Sequence, residues 1–169
     1  IHSDKIIEVS KDSCMDMSSV EADAVITAGK GFFVCVKTAD CCPILMADKR
    51  GRVVAAVHAG WKGTLMRITS KVISKMVKDH GVSAKDLYVA IGPAIGKCCY
   101  EVDSERIKLF ESEAFIRNAD QAFLPDSRLD IKGYNFQMAV NSGIPSDSIE
   151  IFDSCTFCDS ARYFSYRRD

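Results

Sequence analysis

Long apolar runs are missing from this chain. Nothing in it approaches the roughly 20 consecutive apolar residues of a membrane-spanning helix, which argues against a membrane partner. A charge excess is missing too: the formal net charge is −1 and the isoelectric point about 6.3, so there is no basic field to draw in nucleic acid. Repeats, linkers and low-complexity tracts are absent, and 169 residues is the length of a single domain, 1–169, able to bury a large core. No secretory leader is visible, although a chain that opens on Ile1 without methionine is not expected to show its native start. Histidine is scarce, with three in all, whereas cysteine is not, with eight. Cys41-Cys42 and Cys98-Cys99 are adjacent pairs, and the chain is too large to need disulfide staples. Reduced thiols and a cytoplasmic setting are expected.

The chemistry-bearing residues gather between positions 38 and 64. Thr38-Ala39-Asp40-Cys41-Cys42-Pro43 leads into one apolar run, Ile44 to Ala47, and a second run, Val53 to Val57, ends on His58-Ala59-Gly60-Trp61-Lys62-Gly63-Thr64. Asp48-Lys49-Arg50-Gly51 between them has the composition of a tight turn, so the two runs read as a β-hairpin. With Lys49 and Arg50 in the loop, Asp48 faces Gly51 and Cys41 faces His58, with Cβ atoms about 4.5–5.5 Å apart. Pro43 makes the first strand irregular near its start.

A thiol beside an imidazole supports three outcomes. Cys41 is a covalent nucleophile activated by His58, with Asp40 as orienting carboxylate. Or Cys41 and His58 are two ligands for Zn²⁺ or a copper ion. Or Cys41 is a small buried hydrophobe and His58 a satisfied core histidine. The metal reading needs a third donor, and His2, just before a strand, is the remaining imidazole without another explanation; a frayed terminal residue is its competing reading.

Around this centre the pattern predicts strands at 5–9, 32–37, 87–91 and 149–152, and a short apolar element at 22–27. Polar, turn-like chain is expected at 10–22 and poorly patterned chain at 112–129. One helix is expected from Thr64 to about His80 on the spacing of Leu65, Ile68, Val72, Ile73, Met76 and Val77, ended by Gly81. His80 is a last-turn residue and not a ligand. A helix from Ser104 to Glu111 is capped by Asp103, and another runs from Asp130 to about Ser142, closed by Gly143. An antiparallel hairpin mixed with crossover helices gives one mixed α/β or α+β domain.

Two cysteine pairs invite a joint zinc knuckle. Cys155-x-x-Cys158 has the right spacing, but Cys98-Cys99 has no residues between them, so a shared structural zinc is not expected, and a thioredoxin-like role for Cys155-x-x-Cys158 fits its context poorly. Gly92-Pro93-Ala94-Ile95-Gly96 is too irregular for a phosphate loop. Arg167-Arg168 follows an aromatic run and is suited to placing a guanidinium on phosphate or carboxylate; a solvated basic tail is the alternative.

Taken together, Thr38–Pro43, Val57–Gly63, Ile91–Gly96 with Cys99–Val102, Cys155-Thr156 and Phe164–Asp169 resemble the YfiH-like laccase-domain family, also called the multicopper polyphenol oxidoreductase family. The resemblance covers essentially the whole chain. It implies a compact layered α/β/β/α fold related to cysteine hydrolases, with metal ligands at the positions of His2, Cys41 and His58. It also implies a zinc-dependent, or copper-holding, purine nucleoside phosphorylase acting on adenosine, inosine, guanosine and methylthioadenosine, with adenosine deaminase activity. On that reading a purine nucleoside and phosphate are the small-molecule partners, Arg167 helps hold phosphate, and Asp40 joins Cys41 and His58 as a catalytic group or a partner behind them. Alternatives within the resemblance are a peptidoglycan-precursor amidase with Cys41 as nucleophile, and a copper-dependent polyphenol oxidase. The last fits poorly, because several copper ions need many histidines and three are present. Relatives of this type usually carry further residues before His2 and after Asp169, so a domain lacking both extensions is expected. Lys62 stands where arginine is common, keeping charge but losing the bidentate fork.

Overall fold

The computed structural model describes residues 2–10, 20–112, 123–124 and 127–169. Its strands are β1 (Ile6–Glu8), β2 (Ala24–Thr27), β3 (Cys42–Asp48), β4 (Val54–Ala59), β5 (Leu87–Ile91), β6 (Phe123–Leu124), β7 (Arg128–Leu129) and β8 (Ile149–Ile151). Its helices are α1 (Trp61–Leu65), α2 (Ile68–His80), α3 (Ser104–Glu111) and α4 (Ile131–Asn141). Six strands form one mixed sheet in the order β1-β2-β4-β3-β5-β8, parallel at the two outer pairs and antiparallel between them. β6 and β7 make a separate antiparallel ribbon. No described helix is long and apolar enough to cross a membrane.

Alternation places the core. β3 buries Cys42, Ile44 and Met46, and β5 buries Leu87, Val89 and Ile91, while Leu45 and Tyr88 between them stand exposed on the other face. The buried set packs with Ile68, Val72, Ile73 and Met76 of α2 and with Ile131 and Tyr134 of α4, each such burial contributing about 1.5–3 kcal/mol. α2 lies on β2 and β4, and α4 lies on β5 and β8. Where α1, α2 and α4 meet, Asn135 donates to Thr64 Oγ1 at 3.0 Å and to the Ile131 carbonyl at 2.8 Å, and accepts from Thr69 Oγ1 at 2.6 Å. A buried amide satisfied on this scale fixes one arrangement of the three helices.

The mixed α/β expectation is borne out. Beside the six-stranded sheet, the second β element among the described residues is only the β6–β7 ribbon. The caps read from sequence form as expected: Asp103 accepts from Arg106 N, and Gly81 ends α2 at φ +62°. Asp130, expected as the first residue of its helix, is the residue that caps it, accepting from Gly133 N. His80 closes α2 with Nε2 3.3 Å from Glu8. The expected segments 10–22 and 112–129 fall largely at 11–19, 113–122 and 125–126, outside the described residues.

Three expectations need correction. The helix starts at Trp61, three positions early, and is broken by Arg67 in the left-handed region at φ +62°; nothing in the apolar spacing signals that break. Residues 32–37 alternate in exposure as a strand would but join no ladder among the described residues. An extended pattern predicts extension, not a partner. The hairpin register also differs: Pro43, not Cys41, pairs with His58, and Cys42 pairs with Ala59. The loop holds four residues instead of two, closed by Asp48 N to Val53 O and Gly51 N to Asp48 O, with Gly51 at φ +67°. A slip of two leaves every side chain on its expected face, so Cys41 lies diagonal to His58 and opposite Gly60.

Asp48 is what makes the longer loop. Arg52 Nε and Nη2 donate to its carboxylate at 2.7 and 2.9 Å, and this pairing holds Asp48 at about 2 against an ordinary 3.8. The pairing therefore stabilises the fold fully above about pH 4, and the contribution fades as pH falls through the folded value. Asp48→Asn is expected to lower the urea midpoint at pH 7, with the gap to wild type closing toward pH 2. Equal midpoints at pH 7 would show that the loop closes without the pair.

Candidate metal centre

At one end of the hairpin the sheet brings three donors together. Cys41 immediately precedes β3, His58 lies near the end of β4, and His2 arrives on the segment leading to β1. One ligand atom from each lies within 4.8 Å of the others. Cys41 Sγ is 3.7 Å from His2 Nε2, and the two imidazole rings are 5.3 Å apart, centroid to centroid.

Asp23 orients the group. It lies directly before β2, in register with His58 on the neighbouring strand, and its carbonyl accepts His58 N at 2.7 Å. Its buried carboxylate accepts from Ser3 N at 2.7 Å and Ser3 Oγ at 2.6 Å on one oxygen, and holds His58 Nδ1 at 2.7 Å on the other. Burial pushes this carboxyl up, but the hydrogen bonds from Ser3 and His58 outweigh it and keep it below the usual carboxylate range. The charged acceptor on Nδ1 leaves His58 Nε2 as the lone-pair nitrogen, the carboxylate–histidine arrangement found behind metal ligands. Burial, and then the nearby His58, push His2 below the ordinary histidine value, which favours a neutral ring. Burial, then Asp40 and Asp23, push the Cys41 thiol up to about 11, so a thiolate at this position calls for a cation beside it. Two imidazoles and one such thiol fit a single zinc or copper ion with an open position.

Two glycines make room. A Cβ on Gly60 would sit 2.8 Å from His2 Cδ2 and 3.1 Å from Cys41 Sγ, and one on Gly63 would sit 3.0 Å from the Ser3 carbonyl. Both are spaces through which the His2–Ser3 segment reaches the hairpin.

The centre opens into a cleft of about 440 Å³ whose walls include Trp61, Tyr100, Arg106, Tyr166 and Arg167. Asp40 lines it at φ +80°, with its carboxylate turned to the far end of the chain: Thr156 Oγ1 donates at 2.6 Å, Ser165 Oγ at 3.0 Å and Arg167 N at 2.8 Å. The two terminal arginines part company. Arg168 directs its guanidinium to the carbonyls of Thr156, Phe157 and Tyr163. Arg167 extends its own over the Tyr100 ring, 5.4 Å from the centroid, inside the cleft. Arg106 stacks in the same way on Trp61 at 4.7 Å.

A family profile described as "Multi-copper polyphenol oxidoreductase laccase" matches residues 1–169. The chain belongs to this family. It is 34% identical over 152 residues to a protein of Bacteroides thetaiotaomicron named purine nucleoside phosphorylase, covering 86% of this chain and 55% of that one. It is 33% identical over 149 residues to "Adenosine deaminase RL5" from an unknown prokaryotic organism, covering 86% of this chain and 56% of that protein. Among solved structures it matches the Bacillus licheniformis hypothetical protein YfiH with a TM-score of 0.94 at 32% identity, over 99% of this chain and 66% of that one. The chain thus spans a little over half the length of the first two relatives.

Sequence reasoning named His2, Cys41, His58, Asp40 and Arg167, and all five border one cleft. It missed Asp23, whose signal was an acidic residue opening an otherwise apolar strand. It also missed Tyr100 and Arg106, and the steric reason for Gly60. Gly60→Ala is expected to leave the far-ultraviolet circular dichroism unchanged while lowering affinity for added Zn²⁺ or Co²⁺ at this centre at least 10-fold. Unaltered metal affinity would mean that His2 does not lie where the missing Cβ allows it.

Proposed function

We propose that this cleft is a metal-dependent purine nucleoside site that cleaves nucleosides with phosphate and deaminates adenosine. The observation that carries the reading is the convergence of His2, Cys41 and His58 with Asp23 bound to the back of His58. The names borne by two relatives, purine nucleoside phosphorylase and adenosine deaminase, supply the substrate class. His2 Nε2, Cys41 Sγ and His58 Nε2 are the atoms that would hold zinc. A bound ion there supplies Lewis acidity and an activated water.

The remaining roles fall to the chain. Arg167, braced on Tyr100, presents a guanidinium at the cleft wall for the phosphate oxygens. In phosphorolysis an oxygen of hydrogen phosphate bonds to C1′ of the ribose, the bond from C1′ to N9 breaks, and the purine leaves with the phosphate's proton on nitrogen. In deamination water adds at C6 and ammonia leaves. The exposed Tyr166 ring at the cleft mouth is suited to stacking on the base. Asp40 is assigned a positioning role, because both its oxygens accept hydrogen bonds from the chain's last segment and it sits one residue from Cys41.

The two activities separate the roles. Adenosine with phosphate is expected to give adenine and ribose 1-phosphate, and adenosine alone to give inosine, both followed chromatographically. Cys41→Ala and His58→Ala are expected to lose both by more than 100-fold. Asp23→Asn should weaken metal binding about 10- to 100-fold. Arg167→Ala is expected to raise the KM for phosphate while sparing deamination. Turnover that survives metal removal but is abolished by thiol alkylation would overturn the proposal in favour of Cys41 as a nucleophile.

A further inference from the structure

Four cysteines that play no part in the cleft also converge. Cys98 and Cys99 lie in the loop that follows β5, and Cys155 and Cys158 lie in the segment that follows β8. β5 and β8 are parallel neighbours, so the two loops leave the sheet side by side. Pairing continues past the strands through a bridge between Ala94 and Cys155, with Thr156 N donating to the Ala94 carbonyl at 3.1 Å. The topology supplies what the sequence spacing seemed to deny: the adjacent pair Cys98-Cys99 does not need two intervening residues, because a turn at Gly96 presents both thiols to the other loop. In that turn Cys99 N and Tyr100 N donate to the Gly96 carbonyl at 2.9 and 3.0 Å.

We propose that Cys98, Cys99, Cys155 and Cys158 form a second metal site, a four-thiolate structural site for a single Zn²⁺ ion. One sulfur from each residue lies within 4.8 Å of all the others. A tetrahedron with Zn–S bonds of about 2.3 Å has sulfur-to-sulfur edges of about 3.8 Å. Cys98 Sγ and Cys158 Sγ are 3.7 Å apart, and Cys99 Sγ and Cys158 Sγ are 3.3 Å apart. A disulfide would require about 2.0 Å, and the described cysteines are all free. Two further features belong to such a site. Gly96 N donates to Cys155 Sγ at 3.2 Å, the backbone hydrogen bond that steadies a ligating thiolate. A Cβ on Gly96 would lie 3.2 Å from both Cys98 Sγ and Cys155 Cβ, so glycine keeps the two pairs in reach.

The ion would brace the first site without taking part in it. Ile95 N donates to the Asp40 carbonyl at 3.0 Å and Thr156 Oγ1 donates to the Asp40 carboxylate at 2.6 Å, so the two loops that carry the cysteines also grip the residue before Cys41. Binding that closes two loops onto one another stabilises the folded state by its own affinity.

Protein purified under reducing conditions from zinc-supplemented cells is expected to hold two zinc equivalents per chain by elemental analysis. Cys41→Ser, Cys98→Ser and Cys155→Ser should each hold one. In Cys41→Ser, X-ray absorption at the zinc edge should give four sulfur neighbours at about 2.3 Å, a readout that does not depend on the Cys98→Ser or Cys155→Ser variants folding. A single equivalent in the wild type that Cys41→Ser removes would overturn the proposal. So would nitrogen or oxygen neighbours in the Cys41→Ser spectrum, iron in place of zinc, or a peptide map joining Cys98 or Cys99 to Cys158 by a disulfide.

Discussion

Everything at the open end of the sheet depends on one buried carboxylate. Asp40 sits in the left-handed region at φ +80°, a conformation that costs a non-glycine residue on the order of 1–3 kcal/mol unless its surroundings dictate it. They do: three donors from residues 156–167 converge on its side chain, and Ile95 N takes its carbonyl. Removing one partner of such a buried group costs roughly 1–3 kcal/mol, so the four contacts together over-determine the turn. The consequence is positional. The residue after that turn is Cys41, and its sulfur reaches His2 and His58 because the chain is turned there. The donor set of the candidate metal centre and the packing of the chain's last segment are therefore one structural fact.

The same dependence explains why some of the site was legible in the sequence and some was not. Cys41 and His58 could be read as neighbours because a hairpin needs only local chemistry: two apolar runs and a polar turn. The turn length was misjudged by two residues, since the pull of Asp48 on Arg52 is a side-chain effect that turn composition does not display. Parity protected the functional conclusion, because a two-residue slip leaves Cys41 and His58 on the same face. Asp23 was illegible for the opposite reason. Its partnership with His58 depends on β2 lying beside β4, a long-range pairing that no local pattern encodes. Asp40 was visible as a residue but not in its role, because its side chain's partners lie more than a hundred positions away.

Glycine carries information here that a motif reading treats as punctuation. Gly60 and Gly63 bracket Trp61, and the pattern reads naturally as a turn before a helix. In the folded chain they do something else, since both are places where a Cβ would collide with the His2–Ser3 segment. Gly60 has an ordinary extended φ of −72°, so backbone freedom is not what it provides. Close approach is. Gly96 repeats the device where Cys98 meets Cys155. At Gly60 and Gly96 the absence of a methyl group lets two segments distant in sequence bring sulfur and its neighbours into contact range.

Histidine placement bears on how the family description reads against this cleft. Of the three histidines in the sequence, His2 and His58 border the cleft, and His80 is placed at the end of α2 beside Glu8. Two histidines and one thiol give this cleft the donors for one ion. That set has what a polarising, water-activating ion needs: three fixed donors, a carboxylate behind one of them, and a cleft at the open side. The donor count, the carboxylate behind His58 and the cleft, more than the family's label, are what the proposed chemistry on a small substrate rests on.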